Sequence, residues 1–144
     1  MQSGDRSPTR FARTIDRAAD AALRASEREL ADFFANANVG LHWAAPDGTI
    51  LRANRAELEM LGYSAEEYVG RPIAEFHLDR AVIDEILLRL ARGETLESCP
   101  ARMRRKDVSL RHVLINSSSL FQDGRFVHTR CFTLDVTDRV SGQE

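Results

Sequence analysis

The chain has 144 residues, 43% hydrophobic and 29% charged, and a formal net charge of −2. That length holds one ordinary domain with a helix or tail to spare and excludes a second full domain. The 20 Lys and Arg against 22 Asp and Glu give no general drive toward nucleic acid or anionic lipid. No stretch nears the roughly 20 apolar residues of a membrane-crossing helix. The opening Met1-Gln-Ser-Gly-Asp-Arg-Ser-Pro8 lacks the apolar core of an export signal, so a cytoplasmic location is expected. Cys99 and Cys131 are too few for a disulfide scaffold and lack metal-ligand spacing, which predicts reduced core residues and no metal site.

Residues 1–9, polar and containing Gly4 and Pro8, are expected to form a disordered lead-in. From Arg10 to Asn36 no Gly or Pro intervenes. Phe11, Ile15, Ala18, Ala22 and Ala25 recur there at the three-and-four spacing of one helix face, and Leu23, Leu30, Phe33 and Phe34 continue it in a shifted phase. This predicts an amphipathic helix over 10–36 that needs a second apolar surface, either its own domain or another copy of the chain. The period then changes to two, with Val39, Leu41, Trp43 and Ala45 on one side and Gly40, His42 and Ala44 on the other. Pro46-Asp47-Gly48 turns the chain into a second short strand over 49–53. Asn54 is the expected N-cap of a helix from Arg55 to Leu61, which Gly62 ends. Ser64 and Glu67 fit a capping box, giving a short helix to Val69 that Gly70 stops. Pro72 suits the first turn of a short helical segment from Ile73 to Phe76. Asp79 is expected to cap a helix with Val82, Ile83, Ile86, Leu87 and Leu90 on its apolar face, closed by Gly93.

The last third reads as three strands. In 95–105, Cys99, Ala101 and Met103 alternate with Ser98, Arg102 and Arg104, and Pro100 confines that strand to an edge or a bulge. The second runs over 110–120 after the turn Asp107-Val108-Ser109, and the third over 126–136 after Phe121-Gln-Asp-Gly-Arg125. In the middle strand Val113 and Ile115 lie on one face and Leu110, Leu114 and Leu120 on the other, so the sheet needs cover on both faces. Helices within 55–92 can cover one, and the N-terminal helix or a second subunit the other. Helix, two strands, several helices, three strands is the order of an antiparallel α+β domain.

That order, with Pro46-Asp-Gly-Thr-Ile-Leu-Arg-Ala-Asn54, Leu61-Gly-Tyr-Ser-Ala-Glu-Glu-Tyr-Val-Gly-Arg71 and the closing Phe132-Thr-Leu-Asp-Val-Thr-Asp-Arg139, resembles the PAS sensor domain family from Asp32 to Arg139. The resemblance implies a PAS fold: a five-stranded antiparallel sheet in the order 2-1-5-4-3, with helices over one face around a small cavity. It implies a division into lead-in 1–9, amphipathic helix 10–36, PAS domain 37–139 and tail 140–144. It also implies a sensory role, in which a cofactor, a metabolite or no ligand is bound and the change is passed on through flanking helices. Val108 stands where the family's turn has Gly after Lys-Asp, and Asp107 is expected to take the left-handed conformation in its place.

In haem-binding members a histidine near position 77 ligates the iron, so His77 is a candidate axial ligand, weighed against an ordinary histidine at a helix junction. Flavin-cysteine photochemistry is not expected, because the segment that would carry the reactive thiol reads Gly70-Arg-Pro-Ile-Ala-Glu-Phe76. His42, His112 and His128 fall on different strands and read as ordinary sheet positions. Of the polar run Asn116-Ser-Ser-Ser119, alternate members would face the cavity. Asn116 and Ser118 are the chosen candidates for a ligand, with Ser117 and Ser119 as the other phase. Arg102, Arg104, Arg105, Lys106 and Arg111 surround one hairpin without interleaved aromatics, which reads as a solvated edge and not as a nucleic-acid platform. No nucleophile elbow, phosphate loop or metal-binding motif points to catalysis.

Asp135, Thr137 and Asp138, at the end of the last strand, match the segment where such domains pass their signal on. Asn54, Gly62 and Gly70 are assigned structural roles. The function expected is thus a cytoplasmic, non-catalytic PAS module that binds a small metabolite or nothing, dimerises through its N-terminal helix and sheet, and signals to an output such as a histidine kinase. A haem-based gas or redox sensor using His77, and a small enzyme, are the alternatives.

Overall fold

The computed structural model describes residues 10–141, so the lead-in at 1–9 and the end of the tail at 142–144 lie outside the described residues. The chain divides into two units, one ending at Phe34 and the other beginning at Ala35. The described residues of the first belong to one helix, α1 (Arg10–Asn36), which runs two residues into the second unit. Its 27 residues contain no helix breaker, and Leu23, Leu30 and Phe33 along it are exposed.

The second unit contains β1 (Gly40–Ala44), β2 (Ile50–Ala53), α2 (Arg55–Leu61), α3 (Ala65–Tyr68), a 3₁₀ turn at Ile73–Phe76, α4 (Arg80–Ala91), β3 (Leu96–Arg104), β4 (Leu110–Gln122), β5 (Arg125–Asp135) and a last helical turn, α5 (Thr137–Ser141). The five strands form one sheet in the order β2-β1-β5-β4-β3, every neighbour antiparallel. β3 is an edge strand whose register shifts between Leu96 and Cys99; Pro100, just past the shift and opposite Leu114, lacks an N–H and is tolerated on such an edge. The expected tail begins inside α5, because Val136 accepts from the amide of Val140 and continues the chain as a helical turn.

Helices and sheet enclose one apolar core. Ile50, Leu61, Tyr68, Ile73, Phe76, Ile83, Ile86 and Leu90 pack on Leu96, Ala101, Met103, Val113 and Ile115. Tyr68 and Phe76 meet with ring centroids 4.7 Å apart. On β1 the inward side is Gly40, His42 and Ala44, while the larger Leu41 and Trp43 are only half-buried. Trp43 instead stacks on His128, with ring centroids 4.7 Å apart, under the guanidinium of Arg52.

Local signals in the chain place the helices. Ser64 accepts from the Glu67 amide while Glu67 accepts from the Ser64 amide, the two halves of a capping box. Gly62 ends α2 in the left-handed region at φ 81° and donates to the carbonyl of Leu58. Gly70, at φ 89°, does more than stop a helix, since its amide donates to Ile50 and ties the connection to β2. Asp79 stands at the N-cap of α4, where its carbonyl accepts from Val82 and Ile83, but its side chain makes no capping hydrogen bond. Its carboxylate turns away to pair with Arg102 on β3 at 2.6 Å, because a guanidinium offers it two parallel donors where a helix end offers one. In the β3–β4 hairpin the left-handed residue is Val108, at φ 65°, and not Asp107. The Asp107 carboxylate is committed to the amide and hydroxyl of Ser109, which leaves the next residue to make the turn. A β-branched residue there costs on the order of 1–2 kcal/mol.

Asn54 holds the junction between sheet and helices. Its Oδ1 accepts from the amides of Glu57, at 3.0 Å, and Leu41, at 2.8 Å, and its Nδ2 donates to the carbonyl of Val39 at 3.0 Å. It therefore caps α2 and pairs with the start of β1 at once. Asn54→Ala is expected to lower stability by about 3 kcal/mol, one cap and two further part-buried hydrogen bonds. A loss near 1 kcal/mol in urea titration, the size of an isolated cap, would show that the two strand bonds add nothing.

Candidate functional site

The inward face of the central strands is polar where the helices cover it. Register places His42 opposite Cys131 and Cys131 opposite Ser117, so three polar side chains from β1, β5 and β4 form a row. Ser117 Oγ and Cys131 Sγ are 2.6 Å apart. The next row, Ala44, Thr129 and Ser119, includes a hydroxyl on Ser119 that donates to the carbonyl of Leu90 and pins the end of α4 to the sheet.

Above His42 lies Glu57, on the first turn of α2 and 0% exposed. Its Oε2 is 2.8 Å from His42 Nδ1 and accepts from the hydroxyl of Tyr68 at 2.6 Å. Burial opposes charge on His42, but the Glu57 carboxylate and the Cys131 side chain outweigh it and hold the imidazole well above its ordinary value. Burial likewise opposes charge on Glu57, and His42, Tyr68 and Thr133 hold its carboxyl below the usual range. Burial and the nearby Glu57 push Tyr68 up, so it remains a hydroxyl donor. The cluster is an ion pair with a neutral donor, gathered from β1, α2 and α3. Gly40 gives Glu57 room, since a Cβ there would stand 2.5 Å from Glu57 Oε1 and 3.2 Å from its Cα.

His77 follows the 3₁₀ turn, bridges to Met103 on β3 and is buried. Burial lowers its pKa to about 4, and the neighbouring His42 cation adds to that effect. His42 and His77 line the same enclosed space with Thr129 and Cys131, and its volume is about 20 Å³, room for about one water. A porphyrin does not fit among these side chains, so the space offers His77 no haem to ligate.

The polar run of β4 takes the opposite phase from the one chosen on sequence. Ser117 and Ser119 face the helices, whereas Asn116 and Ser118 lie on the other face. Asn116 there accepts from the amide of Ser98. The reason is the alternation of the strand: Val113 and Ile115 are its buried apolar residues, and positions 117 and 119 share their side. His112 and His128 are ordinary sheet residues, but His42 is not. Sequence signals for the His42 and Glu57 pair were weak, because a carboxylate in a first helical turn is ordinarily read as a dipole partner.

A second cluster sits where β5 ends. Asp135 Oδ1 accepts from the amide of Thr137 at 2.9 Å and from its hydroxyl at 2.6 Å, and Thr137 Oγ1 accepts from the amide of His112 on β4. Asp135 Oδ2 lies 3.7 Å from Arg111. Asp138 is the first-turn acid of α5. Among the described residues it forms no ion pair with Arg139, since adjacent helix residues point in different directions.

The chain belongs to the PAS fold family, which matches residues 34–141. Among solved structures it is similar to the PAS domain of an HTR-like protein from Haloarcula marismortui, at 23% identity and a TM-score of 0.69 over 83% of this chain and 98% of that one. It is also similar to a domain of the sensory box sensor histidine kinase/response regulator from Geobacter sulfurreducens, at 19% identity and TM-score 0.68 over 78% of this chain and 96% of that one. A third is the LOV domain of the blue-light activated histidine kinase of Erythrobacter litoralis EL346, at 21% identity and TM-score 0.62 over 69% of this chain and 96% of that one. No curated protein matches the chain significantly in sequence. Among the described residues no helix is long and apolar enough to cross a membrane.

The depressed pKa of His77 has a signed consequence for stability. Its folded value is about 4 against an ordinary 6.5, so the unfolded chain binds the proton more readily, and stability falls as pH drops from 6.5 to 4. About 3 kcal/mol is expected to be lost across that interval. His42, with a raised value, acts in the other direction, and its contribution is lost only as pH climbs through that value. Urea midpoints measured against pH should fall less steeply on the acid side for His77→Gln. Parallel curves would show that His77 does not titrate in that window.

Proposed function

We propose that the chain is a cytoplasmic, non-catalytic sensory module that works as a homodimer and relays its state through Asp135 and Thr137 to an output such as a histidine kinase. The observation that carries this reading is the hydrogen-bonded chain from the His112 amide through Thr137 to Asp135, which couples β4 to the first residue of the departing helix. A shift of β4 against β5 would change which donors Asp135 satisfies. Two of the similar structures are described as histidine kinases, which supports an output of that class. Asp138 supports the relay through the first turn of α5, where an acid stabilises the helix start.

Asp135→Ala is expected to fold like the parent, since the contacts it removes are exposed and small. Fused to a reporter histidine kinase, it is expected to change autophosphorylation output. Output identical to the parent fusion would remove Asp135 from the relay.

A second copy of the chain is the proposed partner for α1. Leu23, Leu30 and Phe33 are spaced by seven and three residues, the spacing that returns to one side of a helix and pairs with itself. The sheet's outer face adds Phe132, which is also exposed. Sedimentation should find a dimer, and the double substitution Leu30→Glu with Phe33→Glu should weaken it roughly tenfold or more. An unchanged dimer constant would place the interface elsewhere.

A further inference from the structure

The two cysteines stand in different surroundings. Cys99 is half-buried and packs against the apolar core. Cys131 is buried in the polar row at the middle of the sheet, directly opposite His42 on β1 and Ser117 on β4. Opposed residues of antiparallel strands hold their Cβ atoms about 4.5–5.5 Å apart, so the thiol adjoins a histidine that Glu57 keeps cationic. On the β4 side, Ser117 Oγ lies 2.6 Å from the sulfur.

The enclosed space beside this row has a second polar wall. His77 lines it together with His42, Thr129 and Cys131. It is 7% exposed, and among the described residues its imidazole forms no hydrogen bond. Burial and the His42 cation keep it neutral, and a neutral imidazole offers one donor and one acceptor. A buried polar side chain without a partner, lining an enclosed space, calls for an occupant with hydrogen-bonding atoms. At about 20 Å³ the space is somewhat larger than the roughly 10–15 Å³ that one water needs.

We infer that this space admits hydrogen peroxide and that Cys131 is the thiol it oxidises, with His42 and His77 holding the peroxide oxygens. Hydrogen peroxide is one oxygen longer than water and can donate and accept at each end. Organic hydroperoxides carry carbon that Ile83, Ile86 and Leu90, on the apolar side of the space, leave no room for. In the reaction the Cys131 sulfur bonds to the nearer peroxide oxygen as the O–O bond breaks. Sulfur is oxidised by two electrons to a sulfenic acid, and the departing oxygen is reduced to water. The His42 imidazolium gives that oxygen a proton and takes the thiol's proton in return, so its pair with Glu57 ends as it began. A cation beside a thiol raises its reactivity, whereas a thiol buried among apolar groups is inert. Charge developing on the departing oxygen is stabilised most where water is excluded. This modification goes beyond the relay proposed above and does not depend on it.

The test exposes the full chain to hydrogen peroxide and, in parallel, to tert-butyl hydroperoxide. At timed points the peroxide is removed, the chain is unfolded in dimedone and iodoacetamide, and peptide masses report the state of each cysteine. Hydrogen peroxide should oxidise Cys131 about tenfold faster than Cys99 or more, although Cys99 is the more exposed of the two. Cys131 should resist tert-butyl hydroperoxide. His42→Gln should slow oxidation of Cys131 roughly tenfold or more, and His77→Gln several-fold, with Cys99 unaffected. Because His42→Gln leaves Glu57 without its cation and can unfold the chain, His77→Gln and the comparison of the two cysteines in the parent stand as independent measurements. Cys99 reacting as fast as Cys131, equal rates at Cys131 with the two peroxides, or an unchanged Cys131 rate in a folded variant would each overturn the site.

Discussion

A carboxylate has been placed in the driest part of the domain, and much of the structure answers to it. Glu57 is fully buried, where an unpaired charge is strongly disfavoured. It is tolerated because β1 supplies a cationic His42, α3 supplies the hydroxyl of Tyr68, and position 40 supplies no side chain at all. Removing one partner of such a pair leaves the other uncompensated, so the cluster fixes how α2 and α3 sit on the sheet more than it adds net stability. Asn54 completes the arrangement by presenting the Glu57 amide and the start of β1 to the same side-chain oxygen.

The same cluster decides what the covered face can hold. With His42, Cys131 and Ser117 across the middle of the sheet and Ser119 tied to Leu90, the helices close down to an enclosed space for about one water. His77 is kept neutral there by burial and by the cation beside it. Larger open volume is found instead at the sheet end, beside Arg105 and Arg111.

The strand end itself is built from short-range bonds of polar side chains to backbone. Asp135, Thr137 and the His112 amide form one connected set, and because these groups are partly exposed, water competes for each of them. Interactions of that kind are individually weak. The buried cluster has the opposite character: its bonds have no aqueous alternative, so it holds geometry constant.

Much of this was legible along the chain. Ser64 with Glu67, Asn54 before Arg55, Gly62 and Pro100 act over three or four residues, and their effects are set by backbone stereochemistry that any neighbourhood shares. Three spaced motifs were enough for the family and the strand order. What the sequence left open depended on which groups become neighbours across the fold. The phase of Asn116 to Ser119 was decided by the burial of Val113 and Ile115, the choice between capping and pairing at Asp79 by the arrival of Arg102, and the left-handed residue of the hairpin by the competing bond of Asp107 to Ser109. His42 and Glu57 are 15 positions apart and unremarkable in their own elements, a strand polar position and a helix-start acid. Only tertiary structure brings them within an ion pair's reach and strips away water, because desolvation is a property of the assembled core and no local pattern of residues encodes it.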